Sequence, residues 1–497
     1  MYTFSSRLKT FSIVLMVLGI LGIGYGFYMA PKTTADVEVI LEKEAAEHHG
    51  SHVATATHTE ADQKIAVSHG HLETEQHNNE ASMSGSMHVD TLAISTSVDS
   101  HDVAEVHSEH KDVTEKGHDI HSNHDKHLEH VLHQLQNKPW AALYVACIFL
   151  MLISLGVLVF YAIQQVAQAG WSPVLFRVMQ GISSYLPVGS VLFFILLVLS
   201  GMHFNHLFVW MADGVDVVGN ENYDHLVAGK TGYLNVPFWL IRAAIFLIGW
   251  NLYNYFSRKN CLLQDEANDN LYYKKNFKMS AAFLVFFIVT ESIMSWDWIM
   301  SVDPHWYSTL FGWYVFASFF VSGITVIALV TLYMKSRGFL EYVNTSHIHD
   351  LAKFMFGISV FWTYLWFSQF MLIWYSNIPE EVTYFITRIE NYNLPFFGMI
   401  VMNFVFPVLI LINTDFKRLT WIISMAGIVI LLGHYVDFFN MIMPATVGDR
   451  WFIGISEMGS LLFFIGLFIM VVFTALTKAP LLPKRNPLIE ESKHFHY

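Results

Sequence analysis

Two long apolar runs of the chain meet in the stretch TESIMSWDWIMSVDPHWYSTLFGWY, which covers residues 290–314. Four ionisable groups lie at this junction: Glu291, Asp297, Asp303 and His305. Ionisable side chains are costly in or beside a bilayer, and they mark functional sites there. The stretch therefore bears on both the fold and the chemistry of the protein.

The composition around this stretch is that of a membrane protein. Hydrophobic residues make up 54% of the 497 residues and charged residues 14%, and apolar runs of spanning length recur. We predict an all-α integral membrane fold with about ten transmembrane helices, spans 1 to 10. Their predicted bounds are 11–29, 141–163, 184–208, 234–256, 279–300, 309–333, 351–375, 394–413, 419–440 and 453–476.

Lys and Arg residues alternate between the two sides of this arrangement. One side, which includes both termini, carries sixteen of them, against three in the short loops opposite, Lys230, Arg388 and Arg450. Because basic loops stay in the cytoplasm, we expect both termini to be cytoplasmic, including the tail 479–497. Residues 31–138 would then lie in the periplasm.

Span 1 has two interpretations. We predict an N-terminal membrane anchor over residues 1–30, because the apolar stretch is long for a signal peptide and Tyr28-Met29-Ala30-Pro31 is a poor cleavage site. The alternative is a signal peptide that is removed.

Residues 31–138 differ in kind from the rest of the chain. They hold twenty Asp and Glu, seven Lys and 17 of the 26 histidines, with little apolar surface to bury, which predicts a disordered acidic loop. Six histidines recur at every third position, a pattern suited to weak binding of zinc, nickel or copper. The alternative is a solvated linker. These six are His118, His121, His124, His127, His130 and His133.

Only two cysteines occur, Cys147 and Cys261. The sequence therefore has neither a Cys-x-x-Cys-His haem-attachment site nor a cysteine set for an iron-sulfur cluster. We expect no covalently bound cofactor, so redox chemistry would belong to a partner or to a diffusing quinone.

Ionisable residues of the spans concentrate in the predicted outer half of the membrane. Glu291 lies roughly 18 Å and Asp297 roughly 27 Å from the cytoplasmic start of span 5. Carboxylates and imidazoles in this arrangement predict a hydrated, titratable cavity that exchanges protons with the periplasm. The cytoplasmic half carries mainly uncharged polar groups. The predicted proton-pathway residues are Glu291, Asp297, Asp303, His434, Asp437, Glu457, Arg242 and His203.

Simpler explanations remain open for the same residues. Glu291 could pair with Arg242 as a structural ion pair, and Asp297 and Asp303 could meet only water or Arg450. The residues His434 and Asp437, three apart on one helix face, could form an ordinary interhelical hydrogen bond.

The block from Ser295 to Gly312, SWDWIMSVDPHWYSTLFG, resembles the ActF family of membrane subunits of bacterial alternative complex III, within the NrfD-like polysulfide reductase superfamily. The resemblance covers roughly residues 140–480, and its most specific part is Asp-Pro-His-Trp-Tyr-Ser-Thr at 303–309. It implies two four-helix bundles, spans 2–5 (139–300) and spans 6–9 (301–440), flanked by span 1 and a last helix within 441–478. The acidic histidine-rich loop is outside the family pattern.

The resemblance also implies a function in a respiratory quinol:electron-acceptor oxidoreductase. The implied partners are a homologous quinol-binding membrane subunit, iron-sulfur and multihaem c-type cytochrome subunits, and a terminal cytochrome oxidase, with no nucleic acid. This chain would supply a proton pathway and a scaffold; whether quinone also binds to it is open. Two alternatives remain: a transition-metal transporter whose histidine-rich loop collects its cargo, and a purely structural anchor.

Overall fold

The structure is a computed structural model that describes residues 2–43 and 112–496, with the backbone alone for 112–124 and 126. No β-strand occurs in these ranges. Within the described residues, ten helices are long and apolar enough to cross a membrane, which confirms the predicted all-α membrane fold. These spans are Ser6–Met29, His127–Val166, Pro173–Gly201, Val236–Gln264, Leu271–Val302, Phe311–Ser336, Thr345–Ser376, Asn393–Leu411, Thr420–Val447 and Ile455–Leu476.

The chain divides into two compact units, one formed by Met1–Pro31 with His133–Tyr497 and the other by Lys32–Leu132. The site described below lies wholly in the first unit. One helix, Asp112–Val166, runs through Pro139, so residues 112–138 are helical where the sequence predicted disorder. Extending an existing helix avoids the unfavourable nucleation of a new one. Residues 44–111 lie outside the described residues, as do the side chains of His118, His121 and His124.

Several spans differ from their predicted bounds. Spans 2, 4 and 5, predicted at 141–163, 234–256 and 279–300, cover His127–Val166, Val236–Gln264 and Leu271–Val302. Span 3 was predicted at 184–208 but begins at Pro173 and ends at Gly201, because Arg177 is buried against Asp265 and therefore does not mark a loop. Its end precedes His203, which adopts a left-handed backbone with φ of 61°. Span 9 continues to Val447 through Pro444, beyond the predicted end at 440.

Spans 2 to 5 form the first bundle, with Trp298 of span 5 at its centre. The Trp298 carbonyl accepts a hydrogen bond from the Tyr144 hydroxyl of span 2 at 2.7 Å. The Trp298 ring contacts Phe193 of span 3 at 4.9 Å between centroids and Trp250 of span 4 at 5.8 Å. Trp298, whose indole is fully buried, thus contacts span 2 through its backbone carbonyl and spans 3 and 4 through its ring.

Spans 6 to 9 form the second bundle around Asp437 of span 9. Tyr314 of span 6 and Trp362 of span 7 both donate hydrogen bonds to the Asp437 carboxylate. One turn further along span 9, the Asn440 amide donates to the Pro395 carbonyl of span 8 at 3.0 Å. The two bundles agree with the arrangement that the resemblance implied.

The bundles meet where span 2 crosses span 6 at two glycines. A Cβ atom at Gly156 would lie 2.7 Å from the Phe319 carbonyl oxygen, and one at Gly323 would lie 2.9 Å from the Val157 nitrogen. Both distances are too short for a side chain, so the two backbones are in direct contact. Small residues permit such close helix approach in membranes.

Span 1 packs along span 10 through a second set of small residues. A Cβ at Gly22 would lie 2.8 Å from the Gly459 Cα. Gly24 lies two residues further along the same helix and therefore on another face, and no atom is within 4 Å of its Cβ position. Span 1 therefore presents one tightly packed face and one open face.

The connections lie on two sides of the first unit. On the terminal side, both chain ends meet the links between spans 2–3, 4–5 and 6–7; for example, Ser492 donates a hydrogen bond to the Trp171 carbonyl at 2.7 Å. On the loop side, the link between spans 5 and 6 meets the links between spans 3–4 and 7–8; for example, Trp306 donates to the Glu381 carbonyl at 3.2 Å.

We predict that Gly22→Leu destabilises the protein by about 1–3 kcal/mol, because the new side chain overpacks the contact with span 10. The measurement is thermal unfolding in detergent followed by tryptophan fluorescence. Gly24→Leu is the matched control, since its side chain meets open space. Equal melting temperatures for the two variants would contradict the packing of spans 1 and 10.

Candidate functional site: buried ionisable clusters of the two bundles

The eight residues predicted for one proton-exchanging cavity lie in separate groups. Arg242, Asp297 and Glu291 belong to the first bundle, whereas His434 and Asp437 belong to the second. The remaining three, His203, Asp303 and Glu457, lie at the ends of spans. No hydrogen bond between described residues joins the first two groups, so each has to be considered on its own.

Arg242 and Asp297 form a two-pronged ion pair between spans 4 and 5. Arg242 Nε donates to Asp297 Oδ2 at 2.6 Å and Nη2 donates to Oδ1 at 2.9 Å. The third guanidinium nitrogen donates to the Tyr233 carbonyl at 3.1 Å, and the Tyr233 ring stacks on the guanidinium at 4.0 Å. Both carboxylate oxygens of Asp297 are thereby used. This geometry is that of a structural pair that fixes the register of two helices.

Glu291 does not pair with Arg242, so the structural ion pair considered from the sequence is wrong. Its carboxylate accepts hydrogen bonds from two hydroxyls of its own helix, Ser295 at 3.1 Å and Ser292 at 3.3 Å. The side chain is 3% exposed. Among the described residues, Lys, Arg and His all lie beyond 4 Å from it. Glu291 is thus a buried carboxyl group that only neutral donors contact.

Asp437 and His434 form the centre of the second bundle, and both are fully buried. Ser318 Oγ lies 2.9 Å from His434 Nδ1 and 2.9 Å from Asp437 Oδ2, so one hydroxyl bridges the acid and the imidazole. Trp362 Nε1 donates to the same Oδ2 at 2.8 Å, and Tyr314 donates to Oδ1. The His434 nitrogen and the Asp437 oxygen are 3.6 Å apart.

This cluster can hold a proton in either of two places. With the proton on His434 it is an imidazolium–carboxylate pair, and with the proton on Asp437 both groups are neutral, so the total charge is the same. Ser318 can relay the proton because a hydroxyl both donates and accepts. No Lys or Arg lies within 4 Å of Asp437 in the described part of the chain, so no permanent positive charge fixes it as a carboxylate.

Three predicted residues lie at the surface or at a helix end. The exposed His203 is in the turn after span 3. Asp303 accepts a hydrogen bond from the backbone N–H of His305 at 3.3 Å. Glu457 accepts one from the Gly454 N–H at 2.8 Å and so caps span 10, although its Oε1 is buried without a hydrogen bond to any described residue.

His305, from the opening stretch, pairs with Asp224 across the loop side. Burial alone would raise the pKa of Asp224, but hydrogen bonds from His305 and from the backbone N–H groups of Val227 and Leu226 hold that pKa below its usual value. Asp224 also caps the short helix His225–Ala228. The pair therefore ties the link between spans 3 and 4 to the link between spans 5 and 6.

The half of the first bundle that lies toward the terminal side is more polar than the sequence predicted. Arg177, 3% exposed, pairs with Asp265 and donates to Gln180 at 3.0 Å. The Tyr161 hydroxyl accepts hydrogen bonds from Gln180 at 3.1 Å and from Asn276 at 3.0 Å. The sequence placed Arg177 in a loop, and its burial could not be inferred without knowing which helices are neighbours.

Arg388 is a functional candidate that the sequence analysis treated only as a loop charge. It lies in the helix Pro379–Glu390 between spans 7 and 8 and is 4% exposed. Its guanidinium donates to three backbone carbonyls, of Asn440 at 2.9 Å, Tyr384 at 2.7 Å and Met441 at 3.4 Å. Arg388 makes no ion pair with a carboxylate of the described residues. The amphipathic pattern of this short helix is the sequence signal that could have indicated a buried position for Arg388.

Metal-ligating side chains are not clustered in the part of the chain whose side chains the structure describes. That part contains no group of three or more His, Cys, Asp and Glu residues able to hold a metal ion. The rings of two histidines, His133 and His206, have their centroids 4.4 Å apart. Burial, together with the nearby His133 and His203, lowers the pKa of His206.

No protein-family model matches this chain, and no curated protein matches it significantly.

We predict that Arg242→Gln destabilises the protein by about 3–5 kcal/mol, because it leaves the fully buried Asp297 without its counter-charge. The free energy of unfolding can be measured by denaturant titration in mixed micelles. Adding Asp297→Asn to the same chain should recover part of the loss. Lys353→Gln, which breaks a half-exposed pair with Asp350, is the control and should cost less than about 1 kcal/mol. Similar losses for both single variants would contradict a buried, structural pair.

Proposed function

We propose that this chain is an integral membrane subunit of a respiratory quinol:electron-acceptor oxidoreductase, in which it holds a proton pathway and a scaffold. The observation that carries the proton pathway is the Asp437–His434 cluster. A fully buried acid and imidazole share a bridging hydroxyl there, and no Lys or Arg of the described residues lies within 4 Å of Asp437. Such a cluster can take up and release a proton without a change in the packing of its helices.

Three further features support the proposal. The block at 303–309 resembles the ActF family, and the ten-span arrangement in two bundles agrees with that resemblance. Glu291 supplies a second buried carboxyl group that only hydroxyls contact. In the proposal, both chain termini lie in the cytoplasm, the loop side faces the periplasm, and the membrane is the bacterial inner membrane.

The electron path belongs to the partners in this proposal. Quinol would be oxidised on a homologous membrane subunit, and iron-sulfur and c-type haem subunits would carry the electrons to a cytochrome or a terminal oxidase. The two cysteines of this chain, Cys147 and Cys261, are both buried and unpaired. They lie in spans 2 and 4 and do not form a cluster-binding set. Metal transport, the alternative from the sequence, gains no supporting observation from the described side chains.

We predict that the tagged chain, purified from its native membrane in a mild detergent, carries c-type haem and iron-sulfur partners with it. Haem absorbance, metal analysis and mass spectrometry of the purified sample provide the measurement. A tagged, unrelated membrane protein of the same cells is the control for non-specific binding. Recovery of this chain without a redox partner would overturn the assignment to a respiratory complex.

We predict that Asp437→Asn lowers the number of protons moved per electron while quinol oxidation and assembly are retained, because asparagine fills the same space but cannot bind a proton. Glu291→Gln should act in the same direction. Proton movement and electron transfer are measured together in liposomes that contain the complete complex. Asp216→Asn, on the exposed loop side, is the control. A wild-type proton-to-electron ratio in both span variants would exclude the proposed pathway.

A further inference from the structure

A small cavity lies between the Asp437–His434 cluster and the loop side of the second bundle. Its polar wall is formed by Tyr314, Gln369, Tyr384, Arg388 and Asn440, and aromatic rings and Met399 close the remainder. Tyr314 is shared between the cavity and the cluster, since its hydroxyl donates to Asp437. The cavity therefore begins at the point where a proton leaves or enters the acid. It has room for about one water molecule.

Two polar atoms on the cavity wall have no hydrogen-bond partner among the described residues. They are Gln369 Nε2, a donor, and Asn440 Oδ1, an acceptor. The two side chains are 5% and 2% exposed. The Asn440 assignment is fixed by its other end, where Nδ2 donates to the Pro395 carbonyl at 3.0 Å. Buried polar atoms that lack a protein partner are commonly satisfied by an ordered water with two to four hydrogen bonds.

Arg388 adds a permanent positive charge to the same wall. Its hydrogen bonds all go to backbone carbonyls, and the Tyr384 ring lies 3.3 Å from the guanidinium. Because no carboxylate of the described residues pairs with it, its charge acts on whatever occupies the cavity. A fixed arginine beside a narrow water path repels hydronium and other cations, as in selective water pores.

We propose that this cavity binds one water that links Tyr314 to the loop side, and that Arg388 is the electrostatic barrier of the link. The inference rests on the proposed function, because it gives the Asp437–His434 cluster its connection to one side of the membrane. The water accepts a hydrogen bond from Gln369 Nε2 and donates one to Asn440 Oδ1.

The transfer through this link balances without any redox step. Protonated Asp437 gives its proton to the Tyr314 oxygen while the original Tyr314 proton passes to the water oxygen. The water gives one of its own protons to solvent water on the loop side, so Tyr314 and the cavity water both end unchanged, Asp437 ends as the carboxylate and the proton ends in the solvent. Arg388 disfavours a free hydronium in the cavity, so the proton crosses in one concerted movement and does not return by diffusion.

The first test is a high-resolution map of the intact complex, in which the expected result is one ordered water within hydrogen-bonding distance of Gln369 and Asn440. An empty or apolar-filled cavity overturns the inference. The result does not decide the proposed function, which depends on the proton-to-electron ratio of Asp437→Asn.

The second test measures passive proton leak into liposomes that contain the complete complex, with an imposed pH gradient and a trapped pH-sensitive dye. We expect Arg388→Gln to raise the leak on the order of tenfold, the change expected when one interior charge stops repelling hydronium. Arg388→Lys keeps the charge and should keep the wild-type leak. An unchanged leak in Arg388→Gln, or an equal rise in both variants, overturns the barrier role.

The double variant Gln369→Leu with Asn440→Leu keeps the inference testable if Arg388→Gln does not assemble. It removes both partners of the water and should lower the proton-to-electron ratio several-fold while Arg388 keeps its charge. A wild-type ratio in an assembled double variant overturns the water link, even where Asp437→Asn has lowered that ratio. The inference and the proposed function can thus fail separately.

Discussion

The direct backbone contact between spans 2 and 6 is the constraint on which the second bundle depends. Gly156 and Gly323 allow the two helices to touch, and this contact fixes the position of span 6 between the bundles. Span 6 carries Tyr314 and Ser318, two of the groups that hold Asp437. A side chain at either glycine would push span 6 away from span 2 and shift both hydroxyls. The hydrogen-bond geometry of the buried acid is thus set by packing on the opposite face of the same helix.

The two buried aspartates of the bundles show how their surroundings set their roles. Asp297 meets a guanidinium that uses both of its oxygens, so its charge has a permanent partner inside the protein. Asp437 meets a phenol, a hydroxyl, an indole and an imidazole, and the imidazole is the type among these four that ordinarily changes its charge near neutral pH. The same residue type therefore holds two helices together in one bundle and can exchange a proton in the other.

Much of the fold could be predicted from the sequence, whereas less of the site could. Length and hydropathy indicated the ten spans, because the bilayer requires a sufficient length and an apolar surface of each spanning helix separately. Arg177 and Arg388 were assigned to loops because a buried cation is recognised by its partners, Asp265 for the first and backbone carbonyls for the second. The separation of Glu291 from Arg242 likewise depends on which faces of spans 4 and 5 meet. Hydropathy does not indicate which faces of two helices are in contact.

The loop block at 303–309 makes structural contacts that extend to Arg388. Trp306 donates to the Glu381 carbonyl and stacks on Tyr384, with ring centroids 4.1 Å apart. Tyr384 in turn holds Arg388 through its carbonyl and its ring. The link between spans 5 and 6 thus positions the arginine beside the cavity without touching the buried acid. In the proposed function, this connecting loop therefore acts on proton transfer in the second bundle, because the aromatic stack fixes the position of the guanidinium.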